Sequence, residues 1–361
     1  MSRNRELTKQ CNALKAELQA GNAKTFVDLL LEWLGRGKPV SVLTGILFYF
    51  LLPFLIGFLI AVLLGEVNRW QKIFGNVSSM PNIFVWVYFG LLTSTLSMFV
   101  ANIYFWKIVA VLKAYVLDAV ETQETLGLIK LWVNFLCDKK YTLIGAVLGG
   151  LVSVPIVVSV FSNSAGIFIG VGYAVTLFLF SAQSALFFGF LLGTLVFAFN
   201  VRYYELTLFE SDPAHSEVIS KLSGSLNWFV YLVAVYGAVQ TFGIVTLNLP
   251  YFSSVLIVFW IAIGGVFILS QYGLSQVIQR AKWRTLNQCQ LEIMAIRSKK
   301  PALTEEDREQ LNWLLEYHDR VKATRNSAFD ASAGLSLLNS LFLPLIGFLL
   351  GNVDVIVKFL H

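Results

Sequence analysis

Residues 141–200 read YTLIGAVLGGLVSVPIVVSVFSNSAGIFIGVGYAVTLFLFSAQSALFFGFLLGTLVFAFN, without one Asp, Glu, Lys or Arg. A charge-free run of this length is too long for one helix in a soluble core. It fits a pair of membrane-crossing helices, because a bilayer core about 30 Å thick takes about 20 apolar residues per helix. Residues 222–279 form a second run without a charge. The whole chain is 57% hydrophobic and 14% charged, against roughly 25% charged in an ordinary globular domain. The apolar runs are continuous, whereas barrel strands are about 10 residues long and alternate apolar with polar. A helix also satisfies its own backbone groups, which lipid cannot do. The sequence therefore implies an all-α, polytopic membrane protein with about seven membrane segments: three hairpins plus a C-terminal helix, with helical cytoplasmic extensions.

The spans fall at residues 40–64, 83–108, 141–161, 165–199, 226–247 and 252–272, with a shorter apolar segment at 334–350 that is expected to cross. The fourth is the difficult one. Its 35 residues would make about 52 Å of helix, more than one bilayer thickness. Charge decides between one helix and two, because Lys and Arg collect on the cytoplasmic side. Seven lie before residue 40, five between Lys107 and Lys140, and ten between Arg280 and Arg325. If all three groups face inward, an even number of spans separates each from the next, and 165–199 is one helix. Of the 27 Lys and Arg, 24 are then inside, and Arg69, Lys72 and Lys358 are outside. The expected organisation is a cytoplasmic N-terminal arm (1–39), a six-helix membrane region (40–272) with cytoplasmic loops 109–140 and 200–225, a cytoplasmic helical region (273–332) and a C-terminal membrane segment (333–361). The polar residues before position 40 lack the form of a cleavable signal, so the first span is expected to act as an uncleaved anchor in a multi-pass protein of the cell membrane.

The charged regions carry helical patterns of their own. Residues 14–34 read as two helical pieces around Gly21, with Phe26, Leu29, Leu30, Trp33 and Leu34 on one face. That face is expected to lie along the membrane surface; packing against the other inner loops is the alternative. Residues 304–322 read as a helix capped by Thr304 with Asp307 three residues on, burying Leu311, Leu314, Leu315 and Val321, with Trp313 at the edge. Residues 271–297 extend the sixth span, and the second span runs on to about Glu124.

Chemical motifs are sparse. The sequence has no phosphate-binding loop, dinucleotide-binding glycine pattern or metalloprotease helix. Cys11, Cys137 and Cys289 fall on inner segments far apart in sequence and read as reduced thiols. His215, His318 and His361 are scattered, so neither metal nor cofactor is expected. Glu205, Glu210, Asp212, His215 and Glu217 are the acidic-plus-His grouping near a span end, but Asp212–Pro213 reads more simply as a turn with Ser211 or Asp212 as a cap. An enzyme is not expected, nor a nucleic-acid partner. Spans three to six carry no charge, which argues against a proton-coupled carrier, and no span carries a His to ligate haem. Asn76-Val77-Ser78 is a glycosylation sequon on an expected outer loop.

The spans hold small and neutral polar residues instead. Gly145/Gly149, Gly166/Gly170, Gly189/Gly193 and Gly347/Gly351 have the spacing of close helix contacts. Thr93, Ser94, Ser97 and Asn102 form a polar strip, with Gln183 and Gln240 in other spans. These either hydrogen-bond between helices or line a cavity. In the last segment Ser336, Asn339 and Ser340 share a face, and Pro344 kinks the helix, as suits a pore-lining element. The expected function is a homo-oligomeric channel with the last helix at the pore and cytoplasmic helices for assembly or sensing. The alternative is a non-conducting scaffold that docks a soluble cytoplasmic protein or anionic lipid through Arg280, Lys282, Arg284, Arg297, Lys299 and Lys300. In outline this topology resembles that of the insect chemoreceptor channels, a resemblance that no residue motif carries and that transfers no site.

Overall fold

The computed structural model describes residues 2–19, 23–35, 55, 59, 62–63, 81–161, 167–246, 253–298 and 304–327. Its helices are α1 (Ser2–Gln19), α2 (Phe26–Gly35), α3 (Pro81–Val111), α4 (Gln123–Cys137), α5 (Lys139–Phe161), α6 (Ile167–Asn200), α7 (Glu217–Thr246), α8 (Ser253–Arg297) and α9 (Glu305–Ala323). The described residues are nearly all helical and form no strand; Val120 and Leu206 make an isolated antiparallel bridge. Among these residues three helices are long and apolar enough to cross a membrane: Leu91–Ala119, Leu177–Tyr203 and Glu217–Val239.

The long fourth segment is one unbroken helix, α6. It packs antiparallel against α5, and glycine makes the approach possible. A Cβ at Gly149 would overlap the Ala185 methyl and lie 2.9 Å from the Ser181 carbonyl oxygen, and one at Gly150 would enter the Phe178 ring. Of the expected glycine pairs, Gly193 also faces a neighbour, with Phe135 and Leu136 at 3.0–3.1 Å from its virtual Cβ, while Gly189 has open space around it. Nothing is described for the side of Gly166/Gly170, and Gly347/Gly351 lie outside the described residues.

α3 does not reach Glu124. It passes through a π-turn at Leu112–Val116 and ends at Ala119, where Val120 becomes extended (φ −67°, ψ 124°). Long-range pairing accounts for the stop. Thr207 N–H donates to the Ala119 carbonyl at 2.7 Å, and Glu121 N–H to the Glu205 carbonyl at 3.0 Å. The chain then re-enters helix at α4, capped by the Thr122 hydroxyl, which accepts from Thr125 N–H at 3.3 Å. Lys15 on α1 pairs with Asp118 at 2.5 Å, and Arg284 on α8 with Glu121 at 2.5 Å. The last turns of α1 and α3, the start of α4 and the Arg284 level of α8 thus meet.

The main core lies beside this junction. Phe105, Ile108 and Leu112 of α3 pack with Ile129 of α4, Phe197 of α6, Leu222 of α7 and Leu274 of α8, all fully buried. α1 joins the same core. Its Leu7, Cys11, Leu14 and Leu18 recur at steps of four, three and four and are all buried, each large apolar side chain contributing about 1.5–3 kcal/mol. The first helix therefore begins at Ser2 rather than near Leu14, and it packs on other elements. Residues 20–22 around the expected break lie outside the described residues, as do the side chains of Leu30, Trp33 and Leu34.

α8 continues without interruption through residues 271–297, as expected. α9 has the expected capping box: Thr304 Oγ1 accepts from Asp307 N–H at 3.2 Å, and Asp307 Oδ2 accepts from Thr304 N–H at 3.2 Å. Ile293 and Ile296 of α8 bury Leu314, with Leu311 against them. Val321 is buried too, but Leu315 and Trp313 are exposed, and Trp313 stacks on Tyr317 at 5.2 Å between ring centroids.

Candidate functional site

Among the described residues, the densest polar cluster joins α2 to α3. Thr25 and Asp28 bracket the first turn of α2, where a carboxylate is favoured by the helix dipole. Asp28 Oδ2 accepts from Thr25 N–H at 2.9 Å, and Asp28 N–H donates to Thr25 Oγ1 at 3.2 Å, which is capping-box chemistry with Asp in the third position. The same carboxylate reaches across to α3. Asn102 Nδ2 donates to its Oδ1 at 2.8 Å, and Trp106 Nε1 donates to both oxygens at 3.1–3.2 Å. Thr25 Oγ1 lies 2.6 Å from Asn102 Oδ1 and 2.9 Å from Asp28 Oδ2, so its single proton closes the ring to one or the other. A cavity of about 110 Å³ adjoins the cluster between α2, α3, α4, α5 and α6, with Asn102, Thr25, Phe105, Phe135, Tyr141 and Gly145 in its wall.

A second cavity of about 220 Å³ lies between α3, α6 and α7 and is almost wholly apolar. Thr93 and Ser97 line it; the Ser97 hydroxyl donates back to the Thr93 carbonyl at 2.6 Å. Gln183 stands apart from both cavities. Its Oε1 lies 2.9 Å from Ser94 Oγ and 3.0 Å from Thr95 Oγ1, tying α6 to α3. Asn227 Oδ1 likewise accepts from Gln271 Nε2 at 2.8 Å, tying α7 to α8.

The expected intramembrane polar residues therefore occupy three places: Thr93 and Ser97 at the larger cavity, Asn102 in the Asp28 cluster, and Gln183 in a helix–helix contact. Gln240 is on α7, with its side chain outside the described residues. Ser336, Asn339, Ser340 and Pro344 lie outside the described residues. Sequence reasoning missed Asp28, Thr25 and Trp106 as partners of Asn102. The available signal was the Thr-x-x-Asp spacing at the start of α2; the Trp106 contact leaves no local trace.

Lys282, counted above with the basic surface, is buried at 7% exposure. Its ammonium donates to the carbonyls of Lys322 at 2.8 Å and Thr324 at 2.7 Å and to Asn326 Oδ1 at 2.9 Å. It caps the C-terminus of α9, where carbonyls lack helical partners. Burial lowers its pKa, with Asp212 opposing. His215 pairs with Asp212 at 2.7 Å on the surface, and among the described residues no three His, Cys, Asp or Glu side chains are grouped to hold a metal.

All three cysteines are free. Burial pushes the Cys137 thiol up to about 12, with the carboxylates of Asp28 and Glu17 adding to the effect; Cys11 and Cys289 are also raised, mainly by burial. The folded Cys137 holds its proton more tightly than the unfolded thiol, so the contribution to stability is complete below the ordinary value of 9.0 and is lost as pH rises toward about 12. Thermal melting between those limits should fall with pH, and the fall should be shallower in Cys137→Ala. An identical slope in the variant would contradict this assignment.

No protein-family model matches the chain, and no curated protein or solved structure matches it either.

Proposed function

We propose that the chain is a multi-pass protein of the cell membrane, its N-terminus and charged loops in the cytosol, and that several copies form an ion channel lined by residues 334–350. Three described helices are long and apolar enough to cross a membrane, and they present Leu96, Ile103, Leu192, Val196 and Val235 outward at 47–61% exposure. Such faces suit acyl chains and disfavour water. The observation that carries the channel reading is how the polar side chains are used. Ser94 and Thr95 both donate to Gln183, Gln271 donates to Asn227, and the larger cavity is almost wholly apolar. Polar groups spent on helix pairing do not line a water path within one copy. Ser336, Asn339 and Ser340, which share a face by their spacing, would form a pore around a symmetry axis.

Purified protein reconstituted in liposomes should pass ions, and Asn339→Leu should cut the flux by about tenfold or change its selectivity, because neutral polar groups and apolar rings set conduction in such pores. Absence of flux, or a strict monomer in nanodiscs, would overturn the proposal.

A non-conducting scaffold is the second reading, favoured by one surface. Arg280, Trp283, Leu291, Met294 and Arg297 are exposed on one face of α8, a basic and apolar combination suited to an acidic partner. That reading predicts no flux, together with binding that Trp283→Ala and Arg280→Ala remove.

A further inference from the structure

The larger cavity has a polar end that the channel reading does not use. On α3, Leu96, Val100 and Lys107 are separated by four and seven residues and so share one face. On α7, Trp228, Leu232, Val235 and Val239 do the same. Leu96, Val100, Leu232, Val235 and Val239 line the cavity. Just beyond it, Lys107 Nζ stands 4.3 Å over the Trp228 ring, joining the two helices. Lys221, seven residues before Trp228 on the same face of α7, places its Nζ 5.6 Å over the Tyr115 ring of the α3 π-turn. Both lysines are exposed, and among the described residues neither has a carboxylate partner. Glu217 is exposed one turn before Lys221, and Asp118, three residues after Tyr115, is taken by Lys15. The seam between α3 and α7 is therefore an apolar slot capped by two ammonium groups held over aromatic rings.

We infer that this seam is a binding site for a phospholipid with an anionic headgroup, the headgroup lying between Lys107 and Lys221 and an acyl chain in the 220 Å³ cavity. An aromatic ring at the headgroup level places an amphipathic side chain where one end is apolar and the other wet, and lysine stems run along apolar surface while the charge stays in water. The inference rests on the membrane reading above, and it stands whether or not the protein conducts. The cavity accepts the tail of any phospholipid; the lysines select charge, as anionic lipids are drawn to basic residues on the cytoplasmic leaflet.

The test uses the full chain in nanodiscs of equimolar phosphatidylcholine and phosphatidylglycerol, extracted into detergent, with retained lipid counted by native mass spectrometry. Phosphatidylglycerol should be retained in excess, by about fivefold per lysine. K107Q/K221Q should bring the two lipids to parity without reducing total retention, and K107Q alone should give an intermediate ratio. Val235→Trp, which fills the slot from its exposed side, should reduce retention of both. Equal retention by the wild type, or an excess that survives K107Q/K221Q, overturns the site. An alkaline carbonate wash separates the failures: release of the chain from its membrane overturns the membrane reading, whereas a chain that stays but shows no preference overturns the site alone.

Discussion

Asp28→Ala should loosen α2 from α3. The substitution removes the one carboxylate that accepts from Thr25, Asn102 and Trp106, and it leaves the Trp106 N–H and the Asn102 amide partly buried without it. Hydrogen bonds to a charged group contribute roughly 1.5–3 kcal/mol each, and a buried donor left unpaired costs a similar amount. Because the three donors share one acceptor group, the losses do not add, and a net cost of about 3 kcal/mol is expected. Hydrogen exchange should rise in α2, and the melting temperature should drop. Asp28→Asn should fall between, since an amide keeps one acceptor oxygen but turns a donor toward Trp106. A second readout moves independently: the Asp28 charge helps hold the Cys137 thiol protonated, so Cys137 should alkylate faster in Asp28→Ala. Unchanged exchange in α2 would refute the clamp.

Gly149→Leu is expected to separate α5 from α6. Even the first carbon of a side chain at this position meets Ala185 and lies 2.9 Å from the Ser181 carbonyl. Neither neighbour can rotate away, because one is a Cβ and the other is backbone. Overpacking of this kind typically costs about 1–3 kcal/mol, and leucine, reaching farther, should exceed that range. Gly149→Ala should fall within it. Gly189→Ala serves as the control, since its Cβ meets nothing within 4 Å; there the helix gains up to about 1 kcal/mol of propensity. Denaturant melts of the three variants should give opposite signs for positions 149 and 189. Equal effects would show that the hairpin contact is not where the glycine places it.

The two positions also mark what a sequence discloses and what it withholds. Gly145/Gly149 and Gly189/Gly193 have the same spacing, yet of the four only Gly149 and Gly193 stand where an added Cβ would come within about 3 Å of a neighbour's atoms. A spacing reports a helix face, and which face meets a partner is decided by the packing of the whole bundle. The continuity of α8 and the cap at Thr304 and Asp307 were legible in adjacent residues, and the single helix α6 in the distribution of Lys and Arg along the chain. The polar strip on α3 was legible as a strip, but its division was not. Ser94 and Thr95 turn to Gln183, and Asn102 turns to Asp28, 74 positions away in sequence. The early end of α3 has the same origin, since its last carbonyl is taken by Thr207. Lys282 looked like one more surface cation, because burial of a lysine depends on three oxygens that come together only when α9 folds back on α8.

The 45 residues of α8 have a mechanical corollary. An unbroken helix of that length measures about 67 Å, and every backbone bond along it resists bending. It behaves as a beam: rocking one end by about 5° displaces the other by about 6 Å at that length. Because Lys282 rivets α9 to the beam, a tilt imposed at α9 would be felt at residues 253–272.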